Sequence, residues 1–484
     1  MRVLTVCVLT VRVLAVCVLR VCPLTACVLR VFALTGRQSS GCWPGCARGW
    51  ARTENRTATC VRSAVTLTGM PDAAAHASSS ASSSSASSTT PPAAVPPVYV
   101  VGGGPGGLAT AAVLGAYGIR AVVLEKADAV GASWRGHYDR LRLHTTRRLS
   151  GLPGLAIPRA YGRWVGRDDV VRYLEQYAEH HHLEVATGVE VRRVDRAADG
   201  GWVLHANGGR KPAARTVVIA TGYNHTPYLP DWPGRDSYPG ELLHAGAYRN
   251  ARPYQGKDVL VVGTGNTGAE IAADLAAGGA ARVRLAVRTA PHIVRRSTAG
   301  WPAQATGILV RRLPPRLVDR AAHVMRRLSV PDLAAHGLPM PDTGLYSRVL
   351  EGAIPVQDVG LIDAVRSGAV RPVAAVVSFD GGVVRLADGD AIEPEAVIAA
   401  TGYRRGLDGL VGHLGLLDAR GRPRVHGPRT LPSAPGLHFT GYTNPISGMF
   451  RELALDARRI ARAIATAAPP LAPPEPSTPS ARKV

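Results

Sequence analysis

Two glycine-rich loops constrain this chain more than anything else in it. The first stands in VYVVGGGPGGLATAA, as Gly102-x-Gly104-Pro105-Gly106-Gly107. The second stands in DVLVVGTGNTGAEIA, as Gly263-x-Gly265-Asn266-Thr267-Gly268. Each follows a run of β-branched residues and opens an Ala-rich stretch, the strand–turn–helix setting of a dinucleotide loop. The glycines let the backbone turn tightly and approach a pyrophosphate, which the unpaired N–H groups of a helix start attract. Downstream of the first loop the strand AVVL ends at Glu125, followed by Lys126; downstream of the second, VRLAV ends at Arg288. A carboxylate suits free ribose hydroxyls and an arginine suits a 2′-phosphate. The pair therefore reads as one FAD site and one NADPH site.

A second repeated motif supports two nucleotide-binding halves. TVVIATGYN places Thr221 and Gly222 after a strand, and AVIAATGYRR does the same with Thr401, Gly402 and Tyr403. The expected fold class is α/β, with two Rossmann-like domains and the NADPH domain inserted in the FAD domain. The expected boundaries are 98–250 for the first part of the FAD domain, 251–395 for the NADPH domain and 396–468 for the second FAD part. An insertion at 297–360 is Pro- and Arg-rich, with one helix expected over about Pro315–Leu328. Another helix is expected over Arg167–His181. A strand at Leu437–Thr440 then meets Gly441 and a helix from about Ser447.

The ends look different from this body. Residues 2–31 repeat with a period of ten, and Arg12, Arg20 and Arg30 cut the repeat into apolar runs shorter than ten residues. A membrane helix needs about 20, and a signal peptide needs one apolar core and a small-residue cleavage site. Residues 1–69 read as a non-native or upstream extension, with Met70 as a second start. The alternative is a true N-terminal membrane or export segment. Residues 70–97 form an Ala/Ser/Pro leader, and 469–484 a Pro-rich tail; both are expected to be disordered. All seven cysteines lie in the first 60 residues, so the body carries no redox-active dithiol. The formal net charge is +22. Eight of those charges belong to 1–69, and the rest form no long basic run, which argues against a nucleic-acid partner. The body reads as cytoplasmic and not membrane-bound; nothing in it fixes an oligomeric state.

Further motifs resemble the class B flavin-dependent monooxygenases, the flavin-containing monooxygenase family, in their YUCCA-like branch. The family motif F-x-G-x-x-x-H-x-x-x-W/Y stands here as Tyr238-x-Gly240-x-x-x-His244-x-x-x-Tyr248. YDRLRLH (Tyr138–His144), PVQDVG (Pro355–Gly360), VRSG (Val365–Gly368) and ALDARRIA (Ala454–Ala461) are similar to that branch too. The likeness spans roughly 98–466 and weakens over Thr443–Met449. It implies that NADPH reduces FAD, that O2 adds to the flavin as a C4a-peroxyflavin, and that one oxygen atom enters a small organic substrate. The substrate classes implied are an α-keto acid undergoing oxidative decarboxylation, a ketone, an amine or a sulfide. No metal is required.

The resemblance also implies site residues. Asn266 falls at the flavin–NADP junction, or else caps its helix. His144 falls where the family places a polar residue beside the flavin, or else is structural. Trp134 covers the flavin or simply packs. Val191 joins the cofactor-binding set, and His244 and Tyr248 brace the linker between domains. His180, His181 and His182 read as a solvated face. The alternative function is an NADPH-dependent flavoprotein reductase that passes electrons to a protein or quinone; a disulfide reductase would need a cysteine pair in the body.

Overall fold

The structure is a computed structural model that describes residues 96–467. The expectations for 1–69, for most of the 70–97 leader and for the 469–484 tail lie outside the described residues.

Two halves repeat one plan. The first runs β1 (Val98–Val101), α1 (Pro105–Ala116), β2 (Ala121–Leu124), α2 (Arg167–His180), β3 (Glu184–Ala186) and β4 (Val217–Ile219). A short strand, β5 (Glu241–His244), leads into the second: β6 (Asp258–Val262), α3 (Asn266–Ala277) and β7 (Arg282–Val287). The insertion follows, with α4 (Ala303–Val310), α5 (Pro315–Ser329), α6 (Leu345–Leu350) and β8 (Val356–Asp358). Then come β9 (Arg371–Ala374), β10 (Ala396–Ala399), β11 (Leu437–Phe439) and the long helix α7 (Met449–Ala467). In each half an antiparallel three-stranded meander precedes the strand that leads into the ATGY turn, at 191–214 before β4 and at 376–392 before β10.

Each half carries a five-stranded sheet whose neighbours all pair in parallel, in the orders β11-β4-β1-β2-β3 and β9-β7-β6-β10-β5. Strands such as VYVV and DVLVV are buried along nearly their whole length, as parallel sheets covered on both faces require. α1 is buried from Gly106 to Leu114, and Gly107, where a Cβ would stand 1.9 Å from the Gly102 carbonyl oxygen, lets its first turn lie close. Pro105 opens it, where a missing N–H costs nothing. α2 starts on Asp168 and Asp169, which suit the positive end of the helix dipole.

Two expected boundaries move. β10 pairs with β6, and β5 pairs with β10. The second sheet therefore spans 241–399, and cutting at 250 and 395 would remove β5, one of its edge strands, together with β10 beside it. The reason is geometric: the strand before each ATGY turn must lie beside its own glycine-loop strand. What returns to the first sheet is only β11, followed by α7, which lies along α1. Among the described residues no helix is long and apolar enough to cross a membrane.

Candidate functional site

The two loops have the same stereochemistry. Gly102 and Gly263 adopt φ of +113° and +114°, a region open to glycine and strained for other residues. A Cβ on either would stand 2.5 Å from a carbonyl oxygen, that of Ala220 or Ala400. A Cβ on Gly107 or Gly268 would stand 1.9 Å from the carbonyl oxygen of Gly102 or Gly263. Gly104 and Gly265 differ, because a Cβ there meets nothing within 4 Å. Those positions face open space at the starts of α1 and α3, where a phosphate group would lie against helix N–H groups. The residues thus fit two dinucleotides. Gly106 serves packing: a Cβ on it would stand 2.9 Å from Leu453 on α7. Thr267 occupies the first turn of α3, between Asn266 and Gly268.

Beyond the loops the halves diverge. Glu125 is buried; its carboxylate accepts from the N–H of Gly103 at 2.6 Å and that of Ala127 at 2.9 Å. The carboxylate is thereby fixed at the tip of β2, with lone pairs left for hydroxyl donors. Lys126, beside it, is exposed and lies 3.5 Å from His225 Nε2. Arg288 follows β7 directly and is exposed. Its chain neighbours Thr289 and Ala290, with Thr264, line a cavity of about 520 Å³ at the start of α3, whose lining does not include Arg288 itself.

The ATGY turns are tied to opposite partners. The Thr221 N–H donates to Tyr442 Oη, and their hydroxyls lie 2.8 Å apart. Tyr442, fully buried, has its hydroxyl pKa driven up by desolvation. Gly222 and Gly402 have open space over their missing Cβ, and Gly441 has Leu453 at 3.5 Å. Thr401 donates to the Tyr228 carbonyl. His244 accepts from the Gly246 N–H at Nδ1, so its Nε2 donates to the Gly402 carbonyl at 2.9 Å. Tyr403 meets the same imidazole edge-on, and Tyr248 donates to Asp274 at 2.7 Å. The family motif therefore braces the linker against the second turn and α3.

Three other residues are brought together at the junction of the halves. Asn266 is the first residue of α3 rather than its cap. Its amide donates to the Pro355 carbonyl at 3.2 Å and accepts from the Gln357 N–H at 2.7 Å. It holds PVQDVG, the return of the insertion, against the second loop. His144 Nε2 lies 2.8 Å from Glu270 Oε1 on α3. Trp134 packs edge-on against His137 and Phe450 and touches the cores of both halves. Val191 lies apart, half-buried on the first meander against the β4 side of the core. His181 meets Tyr177 at a tilt, with ring centroids 4.5 Å apart, at the C-terminal end of α2.

Sequence reasoning missed Gln304 and Glu270. Gln304 accepts from the Thr146 N–H at 2.9 Å and donates to the Ser447 carbonyl at 2.8 Å, stitching α4 to both walls of the junction. A glutamine in an apolar stretch, AQATGILV, was the available signal. A second cavity, of about 790 Å³, opens between the insertion and the loop after Gly441. Its lining includes Tyr223, Tyr346 and Tyr442 with Arg311, Arg405 and Arg424. Arg405 stacks on Tyr223 at 4.5 Å, and its Nε is buried without a partner.

Comparison with known proteins agrees with this geometry. Residues 99–300 match the family model described as pyridine nucleotide-disulphide oxidoreductase. The chain is 36% identical over 344 residues to indole-3-pyruvate monooxygenase YUCCA1 of Oryza sativa subsp. japonica, covering 70% of this chain and 84% of that protein. It is 32% identical to the probable indole-3-pyruvate monooxygenase YUCCA3 of Arabidopsis thaliana, covering 75% and 84%. Among solved structures, a double mutant of a flavin monooxygenase from Stenotrophomonas maltophilia superposes with a TM-score of 0.59 at 25% identity, covering 76% of this chain and 98% of that one. Two parallel sheets with paired glycine loops, a cysteine-free body and these relatives converge: the chain belongs to the class B flavin-dependent monooxygenases, in their YUCCA-like branch, as an oxidoreductase that uses FAD and NADPH.

Proposed function

We propose that this monooxygenase acts on a small 2-oxo acid and removes its carboxylate oxidatively. The balanced reaction is R–CO–COOH + NADPH + H⁺ + O2 → R–COOH + CO2 + NADP⁺ + H2O. The carrying observation is the cavity between the insertion and the loop after Gly441. Its volume, about 790 Å³, lies in the range of roughly 300–1,000 Å³ usual for small-molecule sites. Arg311 is engaged by Glu452 at 3.2 Å. Arg405 and Arg424 have no carboxylate partner among the described residues. A guanidinium with an unpaired buried N–H suits a carboxylate, and the tyrosine faces suit an apolar or aromatic R group.

The first loop, with Glu125 and the first ATGY turn, holds FAD in this reading, and the second, with Arg288, holds NADPH. The bound flavin supplies the hydride acceptance and the O2 chemistry. The chain's own residues bind, orient and exclude water. Gly104 and Gly265 leave room for the pyrophosphates. Asn266 and Gln304 lock the insertion over the junction, closing it to solvent. A cytoplasmic setting fits this use of NADPH.

Isotopic oxygen tests the proposal. With 18O2 and a panel of 2-oxo acids, the product carboxylate should gain one labelled oxygen, with CO2 released and one NADPH consumed. Arg405→Ala should raise the KM for the acid and spare neutral ketones. Rapid reduction of an added ferredoxin or quinone, with no labelled product from any acid, would replace this reading with that of an electron-transfer reductase.

A further inference from the structure

The cavity at the start of α3 is shared between the second glycine loop and the insertion. Gly265 lines it from the loop, and Thr343 and Arg348 line it from the insertion. Behind Thr343 runs a buried polar chain. Arg326 on α5 is 5% exposed and His292 is 9% exposed. Arg326 Nη1 lies 2.6 Å from His292 Nδ1, and His292 Nε2 lies 3.0 Å from Thr343 Oγ1. A guanidinium can only donate, so Nδ1 accepts and is bare of hydrogen. Burial, then Arg326 and Arg348, push the imidazole down to about 4. The ring is therefore neutral at pH 7, and its one hydrogen sits on Nε2. Nε2 donates to Thr343, whose hydroxyl keeps its own hydrogen for another acceptor. Among the described residues no protein group takes that hydrogen.

Arg348 is presented by α6, and the start of that helix is fixed on α5. Asp319 Oδ1 accepts from the Tyr346 N–H at 2.6 Å and the Ser347 N–H at 3.3 Å, and its Oδ2 from the Ser347 hydroxyl at 2.6 Å. A Cβ on Gly344 would stand 2.2 Å from that Oδ2, so the approach needs glycine. The Tyr346 hydroxyl donates to the Arg311 carbonyl at 2.8 Å. Of the Arg348 donors, only Nη1 has a protein partner among the described residues, Glu351 at 2.5 Å. That pair is exposed on both sides and contributes little, while the guanidinium has further N–H groups to offer. Asp342 lines the same cavity and is exposed, so its charge opposes that of Arg348.

We propose that Thr343 and Arg348 are phosphate-binding residues of the second-loop site. The insertion supplies a hydroxyl donor and a guanidinium to the pyrophosphate oxygens of a nicotinamide dinucleotide, for which Gly265 leaves room. This rests on the reading of the second loop as the NADPH site. Arg288 lies outside the lining of this cavity and keeps the 2′-phosphate; Thr343 and Arg348 serve the part that NADPH and NADH share. His292 and Arg326 are positioning residues that act through the Thr343 hydroxyl.

Titration calorimetry of the FAD-loaded enzyme with NADP⁺ and with NAD⁺ tests this without turnover. Arg348→Ala should weaken both ligands by the same factor, about 10- to 100-fold. Thr343→Val should weaken both about 2- to 10-fold, and Thr343→Ser should bind as the unmutated protein does. Asp342→Asn should tighten both, a gain that a merely structural role for this wall would not give. His292→Phe should weaken both in the unmutated chain and add nothing in Thr343→Val. Unchanged affinity in Arg348→Ala or in Thr343→Val, with binding abolished in Gly265→Val, would overturn the proposal. Loss confined to NADP⁺ would overturn it too, by moving the contact to the 2′-phosphate. If Gly265→Val binds both ligands normally, the assignment of the second loop falls, and this proposal with it.

Discussion

The two glycine loops share a backbone and differ in what surrounds it. Gly102 matches Gly263 in φ, Gly102 and Gly107 match Gly263 and Gly268 in the clash a Cβ would cause, and Gly104 matches Gly265 in the open position between them. Past the next strand, the first half ends in a buried carboxylate already engaged by its own loop, and the second in an exposed arginine. The shared part of each loop is fixed by backbone sterics alone, while the divergent part is what the proposed assignment of FAD and NADPH rests on. A fold can copy the first without copying the second.

The largest effects should fall on the shared part. Gly107→Ala or Gly268→Ala places a Cβ inside a carbonyl contact and should cost more than about 4 kcal/mol, seen as loss of folded protein on thermal unfolding. Gly104→Ala should unfold at nearly the native temperature; equal damage at both positions would erase the distinction between them. Next, Gly104→Val should yield folded, colourless protein. Gly265→Val should stay yellow and resist reduction by NADPH, and exchanged phenotypes would reverse the assignment of the loops. Arg288→Ala should then raise the KM for NADPH about 10- to 100-fold and leave NADH unchanged, since a charge-assisted phosphate contact contributes roughly 1.5–3 kcal/mol. An unaltered NADPH preference would remove Arg288 from the comparison.

The smallest effect concerns acid. Each half holds a histidine pushed down to about 4, chiefly by burial: His426 in the first, aided by Arg429, and His292 in the second, aided by Arg326 and Arg348. Both stay neutral when folded but take a proton when unfolded, so each withdraws stability as pH falls from about 6.5 toward 4. His426 lies beside Asp456, at 3.3 Å, whose carboxyl is pushed up to about 6, again chiefly by burial. That group holds its proton longer when folded, so it contributes stability as pH falls from about 6 toward 4 and opposes His426. His292 has Arg326 beside it instead, at 2.6 Å. Acid sensitivity should therefore track the second half. His292→Gln should recover about 1–2 kcal/mol of the stability lost between pH 7 and pH 5, by urea titration at the two pH values. Asp456→Asn should steepen the loss; a flatter profile would show that His426 and Asp456 do not oppose each other.

The halves were legible in the sequence because glycine loops and ATGY turns are local, and local sterics repeat wherever the geometry does. The helices at Arg167 and Pro315 were legible for the same reason, through acidic first-turn residues and an initiating proline. The edge strand of the second sheet was not. ELLH and AVIA became neighbours only through a pairing that spans the insertion, and no local pattern encodes that distance. Site residues divide in the same way. Glu125 and Arg288 follow from their place after a strand. Glu270 hides one turn into a helix whose pattern is apolar, and the cavity arginines are lost among the many in this arginine-rich chain.

The edge strands β5 and β11 carry one more consequence, for the order of assembly. β5 precedes the second sheet, so everything that sheet needs lies between Glu241 and Ala399. The first sheet waits for β11, and α1 waits for α7 to cover it. A chain made from its N-terminus can thus close the later half while the earlier one still shows an open edge at β4, the kind of edge that invites wrong pairing. With FAD on the first loop, as proposed, yellow colour should be the last property the nascent protein acquires, appearing as the C-terminal helix docks.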